Sequence, residues 1–267
     1  MGVNHYENFP VASLLLPRNF RHPVAQIYRF AREADDFADE GDVPDDVRIQ
    51  RLATFGDELR RLERGSPPDI AWFTTLGTVI RDYHLPFGAF HDLLSAFTQD
   101  VTKKRYANFA EVLDYCRRSA NPVGRLVLEL FGAATPQNLA QSNDICTSLQ
   151  IINFLQDISV DFAKGRIYLP QDELGRFKIS EGQIARADTS GHWSKFMSYQ
   201  IDRAREMLMR GTPLAGRLRG RIGIELRLTV QGGNRILEKI SHVNGDVFRR
   251  RPVLKWFDWP LMLARSL

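Results

Sequence analysis

Helical periodicity runs through almost all of this 267-residue chain, and strand-like alternation is nearly absent. In "HPVAQIYRFAREADDFADEG", Val24, Ile27, Tyr28 and Phe30 begin an apolar face, Pro23 stands near the expected first turn, and Gly41 marks the stop. "DDVRIQRLATFGDELRRLERG" opens on acids, closes on arginines and stops at Gly65, the order a helix dipole prefers. "LPFGAFHDLLSAFTQDV" opens with Pro86, and "FAEVLDYCRRSANPVGRLVLELFG" is expected to break near Pro122, because the residue before a proline resists helical geometry. Residues 136–163 read as one long helix, "ISEGQI" carries a capping box, and "GHWSKFMSYQIDRAREMLMRG" and "LRGRIGIELRLTVQGGNRILEKI" add two more helices. Connections are short, with no linker or repeat. The pattern predicts a single all-α domain over residues 1–267.

Composition narrows the function classes. Hydrophobic residues at 43% and charged residues at 25% describe an ordinary globular protein rather than a disordered one. The net charge of +4 is too small to call for a nucleic-acid partner. Arginine (29) far outnumbers lysine (7), which suits phosphate binding, although a coding bias toward G and C produces the same ratio. Cys116 and Cys146 are far apart, the six histidines show no ligand spacing, and "MGVNHYENFP" has no basic start followed by an apolar run. The expectation is a cytoplasmic protein without disulfide or zinc. The tail "DVFRRRPVLKWFDWPLML" sets aromatics beside three arginines; packing is the plainer reading, peripheral contact with the inner face of an anionic membrane the second.

Two acidic clusters carry the chemistry. "RFAREADDFADE" holds five acids and two arginines in twelve residues, with Asp35 and Asp39 one helical step apart. "NFLQDISVDFAKGRIYLP" repeats the step with Asn153, Asp157 and Asp161, which drift only about 40° per step and share one side of a helix. Facing columns of oxygen ligands suit Mg²⁺. Acids paired with arginines such as Arg32 and Arg166 are the plainer reading of either cluster alone. Two clusters at helical spacing, the second flanked by Ile151, Ile152, Phe154, Leu155, Ile158 and Phe162, favour metal ligation, because unpaired carboxylates among apolar neighbours are costly. Arg32, Lys164, Arg166 and Tyr168 stand close by in sequence, and a diphosphate between Mg²⁺ and such donors would leave with its charge already stabilised.

These residues resemble the squalene/phytoene synthase family. "YRFAREADDFADE" resembles its first aspartate-rich motif, "NFLQDISVDFAKGRIYLPQDEL" its second, and "YCRRSANPVG" stands where the family has a Tyr-Cys-x-x-Val-Ala-Gly segment; the likeness runs from about His5 to Arg251. It implies an isoprenoid synthase helical bundle with a central cavity, a Mg²⁺ cluster and prenyl diphosphate substrates. Carried over residue by residue, Asp35, Asp39, Asn153, Asp157 and Asp161 would bind Mg²⁺. Asn8, Tyr28, Arg32, Arg117, Lys164, Arg166 and Tyr168 would line the diphosphate region, with a plain place on the bundle surface equally open to Arg117 and Arg118.

The departures from the pattern are specific. Arg117 and Arg118 occupy the variable places where condensing members carry an aromatic hydroxyl; Asn8-Phe9 replaces a serine-phenylalanine; Gly233 replaces a tyrosine before "RIL". The combination is most similar to the bacterial hopanoid branch, where one paralogue makes presqualene diphosphate and a second converts it to hydroxysqualene. It implies the second reaction, without NADPH, between pathway enzymes upstream and downstream. The alternatives are a head-to-head condensing synthase making presqualene diphosphate, squalene or phytoene, and a non-catalytic relative acting as an assembly protein.

Overall fold

The computed structural model describes residues 17–218 and 220–266. Its first helix, α1 (Arg18–Asp39), already runs one turn before Pro23, which lies inside it rather than at its start. Proline has no N–H for the carbonyl four residues back. The Tyr83 hydroxyl donates to that carbonyl, on Asn19, at 3.4 Å. Ile27, Phe30, Ala34 and Ala38 form the buried stripe of α1, and the acids line its border. Helix α2 (Asp45–Glu63) follows, with left-handed Gly41 and Gly65 just past the ends of the two helices, as the sequence predicts. Then come α3 (Ala71–Asp82), which the pattern reading missed, and α4 (Phe87–Thr102).

The expected break before Pro122 falls at Ala120, between α5 (Phe109–Ser119) and α6 (Asn121–Leu130). The long stretch from residue 136 divides into α7 (Pro136–Gln156) and α8 (Ile158–Ala163). Short helices α9 (Gln171–Arg176) and α10 (Glu181–Ala185) lead to α11 (Trp193–Gly211), α12 (Pro213–Arg217) and α13 (Arg221–His242). Ser180 caps α10 by accepting from the Gln183 N–H at 3.1 Å. A 3₁₀ turn (Trp256–Asp258) and α14 (Trp259–Ser266) close the described chain.

Two groups of buried apolar side chains support the fold. The first gathers Phe30, Phe55, Phe73 and Phe90 from α1–α4, packed edge to face with centroids 5.0–6.1 Å apart except the more parallel Phe30–Phe55 pair. The second surrounds α7 and includes Leu149 and Ile152 of that helix with Trp193, Leu208 and Leu237. Helix α6 joins them: Leu126 and Leu130 belong to the first group and Leu128, on the opposite side, to the second. The acidic helix α1 therefore comes from one group and α7–α8 from the other. Their meeting line is where the acids converge.

Candidate active site

The second acidic segment is not one uninterrupted helix. Asp157 leaves helical geometry (φ −108°, ψ 16°), ending α7 and starting α8. The four-residue hydrogen bonding survives on both sides, from the Asp157 N–H to Asn153 (2.9 Å) and from the Asp161 N–H to Asp157 (2.8 Å). Asn153, Asp157 and Asp161 thus keep their four-residue order across the kink, all half-buried. Arg251, ninety-four residues away in sequence, grips both carboxylate oxygens of Asp157.

After α8, Gly165 (φ +77°) turns the chain through a conformation that side chains disfavour. The exit is pinned by a parallel bridge between Arg105 and Ile167, by the Ile167 N–H on the Lys104 carbonyl (3.0 Å) and by Arg105 on the Gly165 carbonyl (2.6 Å). This loop sends two cations to α1. Lys164 lies 2.7 Å and Arg166 2.6 Å from the two oxygens of Asp39. The buried Arg166 also donates through Nε to the Asp100 carbonyl at 3.2 Å.

Asp100 is the residue that motif reading missed. It is buried on α4, and its carboxylate accepts from Tyr115 (2.6 Å) and Tyr168 (2.8 Å). The available signal was an acid within the buried face formed by Leu93, Ala96, Phe97 and Val101. Tyr168, expected to line the diphosphate region, commits its hydroxyl to Asp100 and stacks its ring on Phe154 at 4.0 Å.

Charge balance across the site is uneven. Burial, then repulsion from Asp39, pushes Asp35 up to about 7 against the pull of Arg32. Burial and then Asp157 push Asp161 up to about 8, with Arg166 and Lys164 opposing. Burial also works against charge on Asp39, but Arg166 and Lys164 prevail and hold it below the ordinary carboxylate value. Burial raises Asp100 to about 6 in spite of its tyrosine bonds and Arg166. Asp39 acts electrostatically on both Asp35 and Asp161, so the two segments share one field.

The remaining expected residues divide. Arg32 reaches Asp36 (2.6 Å), Glu40 (3.0 Å) and Asp35 (3.4 Å), and Tyr28 lies one turn earlier on α1, half-buried. Arg117 is not brought to the site. Its exposed side chain pairs with Asp114 at 2.9 Å on the same helix, because two residues beyond the inward-facing Tyr115 is roughly the opposite face of a helix. Arg118 binds Ser95, Gln99 and Asp114. Asn8 lies outside the described residues.

The expected cluster of facing carboxylates is interleaved with cations, and among the described residues no three His, Cys, Asp or Glu side chains stand close enough to hold a metal ion together. The donor chemistry still fits Mg²⁺: every candidate ligand offers oxygen, and Asp35 and Asp161 sit in surroundings short of positive charge. Both readings of the acids therefore have a counterpart, since Arg32 and Arg166 do pair with them. Beside the acids lie two adjoining crevices where a cavity was expected. One carries Asp161 and Arg166 at its polar end against Phe154, Ile158 and Tyr168; the other continues along Phe109, Val112 and Ile151, and each is narrow, with enclosed space for about one water.

The profile of the squalene/phytoene synthase family matches residues 3–258. The chain belongs to this family. It is 34% identical to the hydroxysqualene synthase of Zymomonas mobilis subsp. mobilis over 229 residues, covering 84% of this chain and 76% of the relative. It is 30% identical to the 15-cis-phytoene synthase of Synechococcus elongatus, covering 93% and 84%. Among solved structures, squalene synthase HpnC from Alicyclobacillus acidocaldarius superposes with a TM-score of 0.82 at 34% identity, covering 90% of each chain. A dehydrosqualene synthase shares the fold with a TM-score of 0.84 at 18% identity, covering 94% and 87%. The all-α terpenoid synthase fold follows from family and structure together.

One departure from the family pattern has a packing reason. At Gly233 a Cβ would come within 2.8 Å of Leu149, 3.3 Å of Ile152 and 3.4 Å of Leu208. A larger side chain would have to turn those three side chains of α7 and α11 aside.

Proposed function

We propose that residues 1–267 form one synthase domain that ionises presqualene diphosphate and captures the rearranged cation with water, releasing hydroxysqualene and diphosphate. The observation that carries this reading is the convergence of Asp39 from α1 with Lys164 and Arg166 from the second motif, beside a crevice walled by Phe154 and Tyr168. Asp35, Asp39, Asn153, Asp157 and Asp161 would hold Mg²⁺. When bound, Mg²⁺ supplies positive charge that stabilises the departing diphosphate.

The chain's own residues do the rest. Arg32, Lys164, Arg166 and Arg251 bind diphosphate oxygens, exchanging internal ion pairs for pairs with the substrate. The carbon–oxygen bond breaks with both electrons leaving on diphosphate. The cyclopropylcarbinyl cation rearranges in the crevice lined by Phe154, Ile158 and Tyr168, apolar surroundings that keep bulk water from it. Water adds at the allylic cation and loses a proton, so no hydride and no NADPH enter the balance. Asp100 holds Tyr115 and Tyr168 in place, as a positioning residue.

A second reading, head-to-head condensation of two allylic diphosphates, is favoured by the likeness to phytoene synthases. Presqualene diphosphate alone and farnesyl diphosphate alone, each with Mg²⁺ and with or without NADPH, separate the two. The expected result is hydroxysqualene from the first substrate under both conditions. Turnover of farnesyl diphosphate would replace this reading with the second, and inertness toward both would favour the non-catalytic relative.

A further inference from the structure

The segment Arg249–Ser266 has two ends of opposite character. Its beginning reaches the candidate site, through Arg251 on Asp157 and through Pro252, whose carbonyl accepts from the Gln156 amide. Its far part presents an apolar surface: Trp256 is 82% exposed, Phe257 51%, Leu263 49%, Trp259 45% and Leu261 37%.

That exposure is enforced by the opposite face. Asp258, Met262 and Ser266, at four-residue steps, are buried. Asp258 is fixed by Arg235 at 2.8 Å and by Lys239, while the Lys255 N–H donates to it at 2.7 Å. The packing that the sequence favours for this tail thus holds for three residues and leaves the large aromatics outward. Single exposed apolar residues are ordinary, but five within eight positions form a patch that calls for a partner.

Charge indicates which partner. The segment carries five basic residues, Arg249, Arg250, Arg251, Lys255 and Arg265, and one acid, Asp258, which is buried. Arg249 and Arg265 pair with Asp246 and Glu238, whereas Arg250 and Lys255 are exposed, Lys255 with its Nζ 5.9 Å from the Phe257 ring. A second copy would set like charges against each other.

We propose that this segment docks the protein on an anionic lipid bilayer. Trp256, Phe257, Trp259, Leu261 and Leu263 enter the headgroup–acyl boundary, and Arg250 and Lys255 meet lipid phosphates. Helix α14 has eight residues and lies in the plane of the surface, since spanning needs about twenty. Among the described residues no helix is long and apolar enough to cross a membrane. Docking brings the segment that contacts Asp157 next to the lipid phase.

The test is sedimentation of the full chain with vesicles of phosphatidylcholine alone, and with vesicles containing an equal share of phosphatidylglycerol. Binding is expected to the mixed vesicles, much weaker to the neutral ones, and lowered by salt. Replacing Trp256, Phe257 and Trp259 together by Ser should lower partitioning at least about a hundredfold, by the apolar area lost. Arg250→Gln and Lys255→Gln should each lower it about fivefold. The thermal midpoint of each variant, unchanged, shows that lost binding is not lost folding. Undiminished binding of the triple variant, or no binding of the parent chain, overturns the proposal. A dimer that disperses in the triple variant, without lipid binding, overturns it in favour of a second copy. None of these readings depends on which diphosphate is turned over.

Discussion

Acids at two depths meet opposite fates in this molecule. At the junction of the 3₁₀ turn and α14, Asp258 is fully enclosed, yet Arg235, Lys239 and a backbone N–H satisfy it and hold its carboxyl down at about 2. Between α1 and α8, the half-buried Asp35 and Asp161 are pushed up to about 7 and 8 by loss of water and then by Asp39 and Asp157, each four residues away on the same segment. The first arrangement is a finished structural joint. In the second, Arg32, Lys164 and Arg166 offset the negative charge only in part, and that deficit is how a place for a charged ligand differs from an ion pair that only holds the fold.

Substitutions that remove the deficit should separate activity from stability most sharply. Asp39→Asn and Asp161→Asn should each lower kcat on presqualene diphosphate at least about a hundredfold, as loss of a transition-state electrostatic contact does. For Asp161→Asn the unfolding midpoint should hold or rise, because a repelled charge is gone. A fall in stability without loss of turnover would place Asp161 on the structural side of the contrast. Asp258→Asn should do the reverse: about 3 kcal/mol less stability in urea unfolding, because two cations lose their shared partner, with turnover kept in the folded fraction.

Acid titration tests the same joint. The folded-state value of Asp258 lies below its ordinary 3.8, so its contribution is complete above that value and is lost as pH falls toward about 2. Asp258→Asn should therefore flatten this acid limb, seen as a weaker pH dependence of the unfolding free energy. Arg251→Gln should raise KM about tenfold, the size of one lost charge-assisted bond, with a smaller change in kcat. Arg117→Ala, which removes only an exposed pair with Asp114, should change kcat/KM and stability within about twofold and 0.5 kcal/mol.

The features legible in the sequence are those set by near neighbours. The stops at Gly41 and Gly65, the interruption before Pro122 and the cap at Ser180 all depend on residues a turn apart. Both aspartate steps are local too, and so is the pairing of Arg32 with Asp35 and Asp36. Features set by distant chain were not legible. Nothing near Asp157 announces Arg251, and nothing near Asp100 announces Tyr168, sixty-eight residues on. Helix α3 was missed although Phe73, Leu76, Val79 and Ile80 keep helical spacing, because no capping side chain marks its start. For Arg117 the sequence left a diphosphate contact and a place on the bundle surface both open, because a motif aligns residues by order whereas a helix distributes them by angle.

The seat of Gly233 bears on what a larger side chain would do there. An added Cβ meets only the terminal methyls of Leu149, Ile152 and Leu208, so it is admitted as those three turn aside, and the room it takes comes out of the contact of α13 with α7 and α11. A tyrosine introduced at this place would therefore act first as a wedge between helices and only second as a hydroxyl.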